Sequence, residues 1–231
     1  MNANTKIAVI TGGSKGIGKA ITNILSKHYI VVNLSRSKSI DSAGSFFIKT
    51  NVSKEISCKR AFDKIKKKFG HIDLLVNCAG VLYPDDHTNT KFLASNFGTN
   101  MFGTFYCCHF AAKLMKKGQI VNISSTSGIC FREGQLSYCG SKWAIVGFSG
   151  VLRLELQKKG IDVICFCPGG TKTQIFRHFK KDPSKDFMPP EEVATKIEEA
   201  MDRHDKNKWL FIYTRKERLL KSYGFNDYPL P

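Results

Sequence analysis

Seven short apolar runs, separated by segments patterned as helices, constrain this chain more than anything else in it. The runs are Lys6–Ile10, Ile30–Leu34, Ser45–Ile48, Leu74–Val76, Ile120–Ile123, Asp162–Phe166 and Trp209–Tyr213. Helical patterns fall at Lys15–Lys27, Lys54–Phe69, Phe92–Lys116, Tyr138–Lys158 and Pro190–Arg203. A strand that is apolar on consecutive residues has both faces buried, which requires helices above and below it. Strands that alternate with helices pair in parallel, so the pattern predicts an α/β fold: a doubly wound parallel sheet of about seven strands. With 231 residues and no internal repeat, a single domain over residues 1–231 is expected.

Composition excludes several alternatives. No apolar run approaches the roughly 18 residues that span a bilayer, so no membrane insertion is expected. Ile7–Ile10 ends in Thr-Gly-Gly and reads as a strand rather than a signal peptide. None of the eight cysteines is in C-x-x-C spacing, and most lie in apolar stretches, as thiols do in a reducing compartment. A cytoplasmic location is the default, and no metal site is expected. The net charge of +17 admits an anionic partner or a solvated lysine-rich surface. Lys64, Lys66, Lys67 and Lys68 close a helical pattern before Phe69-Gly70, and Lys116-Lys117 and Lys158-Lys159 also precede glycines. Cations there complement helix dipoles, so most of the charge is read as solvated surface. The lysines are dispersed rather than gathered on one face with aromatics, so no nucleic-acid partner is expected.

Three motifs carry chemistry. Thr11-Gly-Gly-Ser-Lys-Gly-Ile-Gly18 follows a strand and opens a helix, the context in which glycines let backbone approach a pyrophosphate at a helix N-terminus. At the end of the second strand, an NAD site places a carboxylate against the ribose hydroxyls. This chain has Ser35-Arg36 instead, and Arg36 can pair with a phosphate, with Lys15 close by in the glycine loop. Both cations favour NADP(H) over NAD(H). Tyr138 and Lys142, four apart, share one helix face. An ammonium beside a phenol is expected to lower its pKa from about 10, as suits a general acid–base.

Taken together, the chain resembles the short-chain dehydrogenase/reductases from about residue 5 to 203. The resemblance rests on Thr11-Gly-x-x-x-Gly-x-Gly18, Asn77-Cys-Ala-Gly80, Asn122-Ile-Ser-Ser125, Tyr138-x-x-x-Lys142 and Pro168-Gly169, in the family's order and spacing. It implies a single Rossmann-like domain with a cofactor half over about 1–125, a catalytic and substrate half over about 126–231 and a lid at 174–189. It implies that Tyr138 donates the proton, Lys142 lowers its pKa and holds the nicotinamide ribose, and Ser125 bonds the substrate oxygen. Asn100, in Asn100-Met-Phe-Gly103, would anchor a water that relays protons to Lys142. The cofactor would lie on Gly12, Ser14, Lys15, Gly16, Ile17, Gly18 and Arg36, and on Asn51-Val52, where Asn51 replaces the family's usual aspartate. It would continue past Asn77, Ala79 and Gly80 to Tyr138, Lys142, Pro168, Gly169, Thr171 and Thr173.

The same resemblance implies a homodimer through the long helices Phe92–Lys116 and Tyr138–Lys158. The tail from Tyr213 is basic and helix-like where the family has a strand and glycine-rich end, so a tetramer is not implied. Specificity is expected from Phe131, Arg132 and Gln135, and from Phe176, Phe179, Phe187 and Met188 in the lid. The activity implied is NADPH-dependent reduction of a ketone or aldehyde. A 3-oxoacyl-carrier reductase is one form of it, and a non-catalytic NADP-binding sensor is the reading from another class.

Overall fold

The computed structural model describes residues 5–38, 45–179, 183–203, 205 and 207–215. All seven expected strands form, as β1 (Ile7–Thr11), β2 (Ile30–Ser35), β3 (Phe46–Lys49), β4 (Leu74–Asn77), β5 (Gly118–Ile123), β6 (Ile161–Pro168) and β7 (Leu210–Tyr213). They make one parallel sheet in the order β3-β2-β1-β4-β5-β6-β7. The order reverses between β1 and β4, and a crevice opens there beyond the carboxyl ends of the strands.

Helices α1 (Gly16–Leu25) and α6 (Pro190–Met201) cover one face; α2 (Glu55–Phe69), α4 (Gly103–Ala112) and α5 (Leu136–Leu156) cover the other. Residues of β1 divide between the two cores by parity. Ile7 and Val9 pack with Phe62, Ile65 and Leu156, while Ala8 and Ile10 pack with Ile21, Leu25 and Ile197. That division explains why the strand is apolar throughout.

Helix ends follow the charges in part. α2 carries Glu55 in its first turn and Lys66, Lys67 and Lys68 in its last, and Gly70 closes it in the left-handed region at φ 81°. Lys158 and Lys159 sit in the short turn that ends at Gly160. Lys116 and Lys117 do not cap a helix, because α4 ends at Ala112 and they lie in the connection to β5.

A larger departure lies in the segment expected as one helix over Phe92–Lys116. It is broken into α3 (Leu93–Phe97), a π-helical turn at Gly98–Phe102 and α4. The widened turn buries Asn100 completely. A Cβ at Gly103 would sit 2.8 Å from Val52 Cγ2, so the helix restarts where only glycine lets it rest on Val52. Such turns recur where a helix must present a polar group at a fixed point. The basic tail lies outside the described residues from position 216.

Candidate active site

The crevice beyond β1 and β4 is a cavity of ≈ 510 Å³. Of the residues expected to hold the cofactor, every one but Asn77 lines it. Asn77 is buried beneath the floor and donates to Asn122 Oδ1 at 2.9 Å and to Cys108 Sγ at 3.2 Å. The chain splays at the switch point because Thr11 Oγ1 accepts from the N–H groups of both Cys78 (3.1 Å) and Ala79 (3.0 Å). Thr11 thus locks the end of β1 to the segment after β4, a role the motif alone does not reveal.

The glycine turn is built by contact. A Cβ at Gly12 would lie 2.8 Å from Ala79 Cα, and one at Gly18 would lie 2.4 Å from Gly12 O. Gly12 and Gly16 also occupy positive φ, at 71° and 52°. α1 begins without a side-chain cap, and its first residues, Gly16, Ile17 and Gly18, line the cavity. Its first-turn N–H groups and its dipole are therefore available to an anion, so the site fits a dinucleotide pyrophosphate.

Arg36 lines the same cavity and has no hydrogen-bond or ion-pair partner among the described residues. Among the described residues of the lining, the only carboxylate is Asp186 of the lid. Lys15 Nζ donates to the lid's Gln174 Oε1 at 3.1 Å, so it reaches the lid as well as the glycine loop.

The catalytic group comes together on β5, α5 and the π turn. Ser125 ends the segment after β5, and its Oγ accepts from Ser127 N–H at 3.1 Å, capping a short turn. It also lies near enough to the Tyr138 phenol to favour its ionised form. Lys142 Nζ donates to Ile123 O at 3.0 Å and lies 5.8 Å from the Tyr138 ring centroid. Asn100 does not line the cavity. Its Oδ1 accepts from Val81 N–H at 2.9 Å, and its Nδ2 donates to Val81 O and Ser141 Oγ, both at 3.0 Å. A Cβ at Gly80 would meet Asn100 Oδ1 at 3.5 Å and Lys142 Nζ at 3.9 Å, so both atoms border the space beside this glycine.

One electrostatic expectation is corrected. Lys142 does not lower the pKa of Tyr138 in the isolated chain. Burial pushes the phenol up to about 12 against a smaller lowering by Ser125. The same burial brings Lys142 down to about 8. Two groups held in one dry pocket each resist their charged form more than they help each other. The phenol is thereby kept protonated at neutral pH, the state a proton donor needs.

Of the expected substrate residues, Arg132, Gln135, Phe176, Phe179, Phe187 and Met188 line the cavity. Phe131 does not. It is 68% exposed and stacks on Trp143 at 5.8 Å, because it turns outward over α5. The lid also contributes Arg177 and His178, and His178 packs on Tyr83 at 4.4 Å across the mouth. Neither was singled out from the sequence, since an Arg-His pair in a polar lid carries no pattern.

The comparisons agree with this geometry. A family model described as short chain dehydrogenase matches residues 6–184. Carbonyl reductase family member 4 of Xenopus laevis is 34% identical over 211 residues, covering 84% of this chain and 89% of that protein. The 3-oxoacyl-[acyl-carrier-protein] reductase of Bos taurus is 32% identical over 197 residues, covering 80% and 83%. The solved structure "ElxO with NADP Bound" superposes with a TM-score of 0.76 at 29% identity, covering 90% and 96% of the two chains. From its glycine turn, its Ser125–Tyr138–Lys142 group and these matches, the chain belongs to the short chain dehydrogenase family and is an oxidoreductase acting on carbonyl and hydroxyl groups.

Proposed function

We propose that the chain is an NADPH-dependent carbonyl reductase. The observation that carries the reading is Ser125, Tyr138 and Lys142 converging on one cavity that Arg36 also lines, with no carboxylate beside Arg36 among the described residues of the lining. NADPH, when bound, supplies the hydride. Ser125 donates a hydrogen bond to the carbonyl oxygen as negative charge develops there. Tyr138, protonated up to about 12, gives its proton to that oxygen. Lys142 stabilises the phenolate left behind, passes it a proton, and is itself reprotonated through a water held at Asn100 beside Gly80. Gly12, Ser14, Gly16, Ile17 and Gly18 seat the pyrophosphate, and Asn51 and Val52 border the adenine. Thr171 and Thr173 face the nicotinamide end.

Titration of the purified protein with NADPH and NADH tests the cofactor assignment. Tight NADPH and weak NADH binding support it, and a preference for NADH overturns it. A 3-oxoacyl thioester is the favoured substrate class within this reading, because a relative matched over most of the chain is named for that reaction. Faster turnover of acetoacetyl thioesters than of free ketones supports it.

A homodimer through α4 and α5 belongs to the same reading. Phe105, Trp143, Val151 and Leu154 on these helices, with Phe102 at the end of the π-helical turn before α4, are exposed at 39–58%. Light scattering on the eluted protein measures it. A cytoplasmic location is the accompanying proposal, tested by fractionation.

A further inference from the structure

Asn96 and Asn100 make the same set of bonds one helical turn apart. Asn100 accepts from Val81 N–H and donates to Val81 O and Ser141 Oγ. Asn96 accepts from Tyr83 N–H at 3.1 Å, and donates to Tyr83 O at 3.0 Å and to Ser137 Oγ at 2.8 Å. The spacings explain the repeat. Four helical residues advance about 6 Å and two extended residues about 6.6 Å, so residues four apart on two helices can match residues two apart on the segment between them. Ser137 and Ser141 each immediately precede a member of the catalytic pair, Tyr138 and Lys142.

Both asparagines are fully buried, and Ser137 and Ser141 are 4% and 0% exposed. A buried amide with both protons and an oxygen engaged fixes its neighbours' positions strictly, since any shift leaves a polar atom without a partner. Asp85 closes the second rung. It accepts from Ser137 N–H at 3.1 Å and from the Ser137 hydroxyl, at the first turn of α5. Ser137 Oγ therefore donates to Asp85 and receives from Asn96, which leaves it no rotational freedom.

We propose that Asn96 is a positioning residue for Tyr138, acting through Ser137, as the second rung of a ladder whose first rung is Asn100–Ser141–Lys142. The inference rests on the reading of Tyr138 as proton donor. Asn96 touches no reacting atom. It fixes the start of α5 so that the phenol meets Ser125, and displacement of a catalytic group by about 1 Å can lower turnover about 100-fold.

The test uses the whole chain with tyrosine isotope-labelled at the ring carbon that bears oxygen, and the Tyr138 resonance is assigned by its loss in Tyr138→Phe. Asn96→Ala and Ser137→Ala should shift or broaden that resonance. With NADPH and acetoacetyl-coenzyme A they should lower kcat about tenfold to 100-fold and move its pH profile, while NADPH affinity holds within about twofold. Ser137→Thr keeps the hydroxyl and should restore both readouts.

If Asn96→Ala does not fold, Ser137→Ala carries the test, because Asn96 there keeps both bonds to Tyr83. A folded Ser137→Ala with the wild-type Tyr138 resonance overturns the proposal, whether or not the thioester is a substrate. A Tyr138→Phe protein with undiminished turnover would instead overturn the proton-donor reading beneath it.

Discussion

Replacing Lys142 by methionine should flatten the pH dependence of stability by a calculable amount. Lys142 is 5% exposed, and burial lowers its pKa to about 8 from the usual 10.5. Between those values the unfolded chain binds the proton and the folded chain does not, so stability rises with pH. Integrated from about pH 7 to about pH 10, the rise is about 2.5 kcal/mol. Methionine has similar length and no charge, so the variant lacks that rise. It also loses the bond to Ile123 O, worth about 1 kcal/mol, but this displaces the curve vertically and leaves its slope unchanged. Tyr138 does not interfere, since its own raised pKa acts between about 10 and about 12, where it lowers stability as pH rises. Urea unfolding of both proteins across this range measures the difference directly. Parallel curves would refute the assignment of Lys142 as a buried amine that the fold keeps partly discharged.

Tyr138→Phe should lower turnover at least about 100-fold while NADPH affinity stays within about twofold, because only the proton donor is removed; equal rates in stopped assays would contradict the mechanism. Arg36→Ala should weaken NADPH about tenfold to 100-fold, the loss of a charge-assisted bond or two, and leave NADH nearly unchanged. Equal losses for both cofactors would mean that Arg36 does not meet the 2′-phosphate. Gly18→Ala should destabilise the chain by about 2–4 kcal/mol and abolish cofactor binding, since its Cβ would lie 2.4 Å from Gly12 O. An unchanged melting temperature would show that the glycine turn can open at little cost.

Both cofactor and catalytic motifs were legible in the sequence because each is local. A strand–glycine–helix turn and a Tyr-x-x-x-Lys pair place their groups by backbone geometry within a few residues. The place of Arg36 at the cavity was legible for the same reason, as the residue that follows β2. The misplacements have a shared cause. Phe131 was expected in the pocket from its position before Tyr138, yet the direction of a loop side chain depends on what packs beside it, and Trp143 lies on the outer face. The pKa of Tyr138 was expected to fall because the pair spacing shows the ammonium but not the burial around it. Asn77 has the spacing of a cofactor contact, but partners from β5 and α4 hold it below the floor.

The sequence by itself determined the sheet. Consecutive apolar residues on seven runs require burial on both faces, and short connections through helices leave a parallel order as the outcome. It determined the chemistry wherever one turn or one helix face holds all the participants. Only the tertiary structure decided the rest: the break at Gly98–Phe102, the junction Thr11 makes between β1 and β4, and the pairing of Asn96 and Asn100 with Ser137 and Ser141. Those bonds join residues 19 and 41 positions apart or more. Their partners are chosen by how elements pack, and a buried polar group is satisfied by whichever neighbour the packing brings to it.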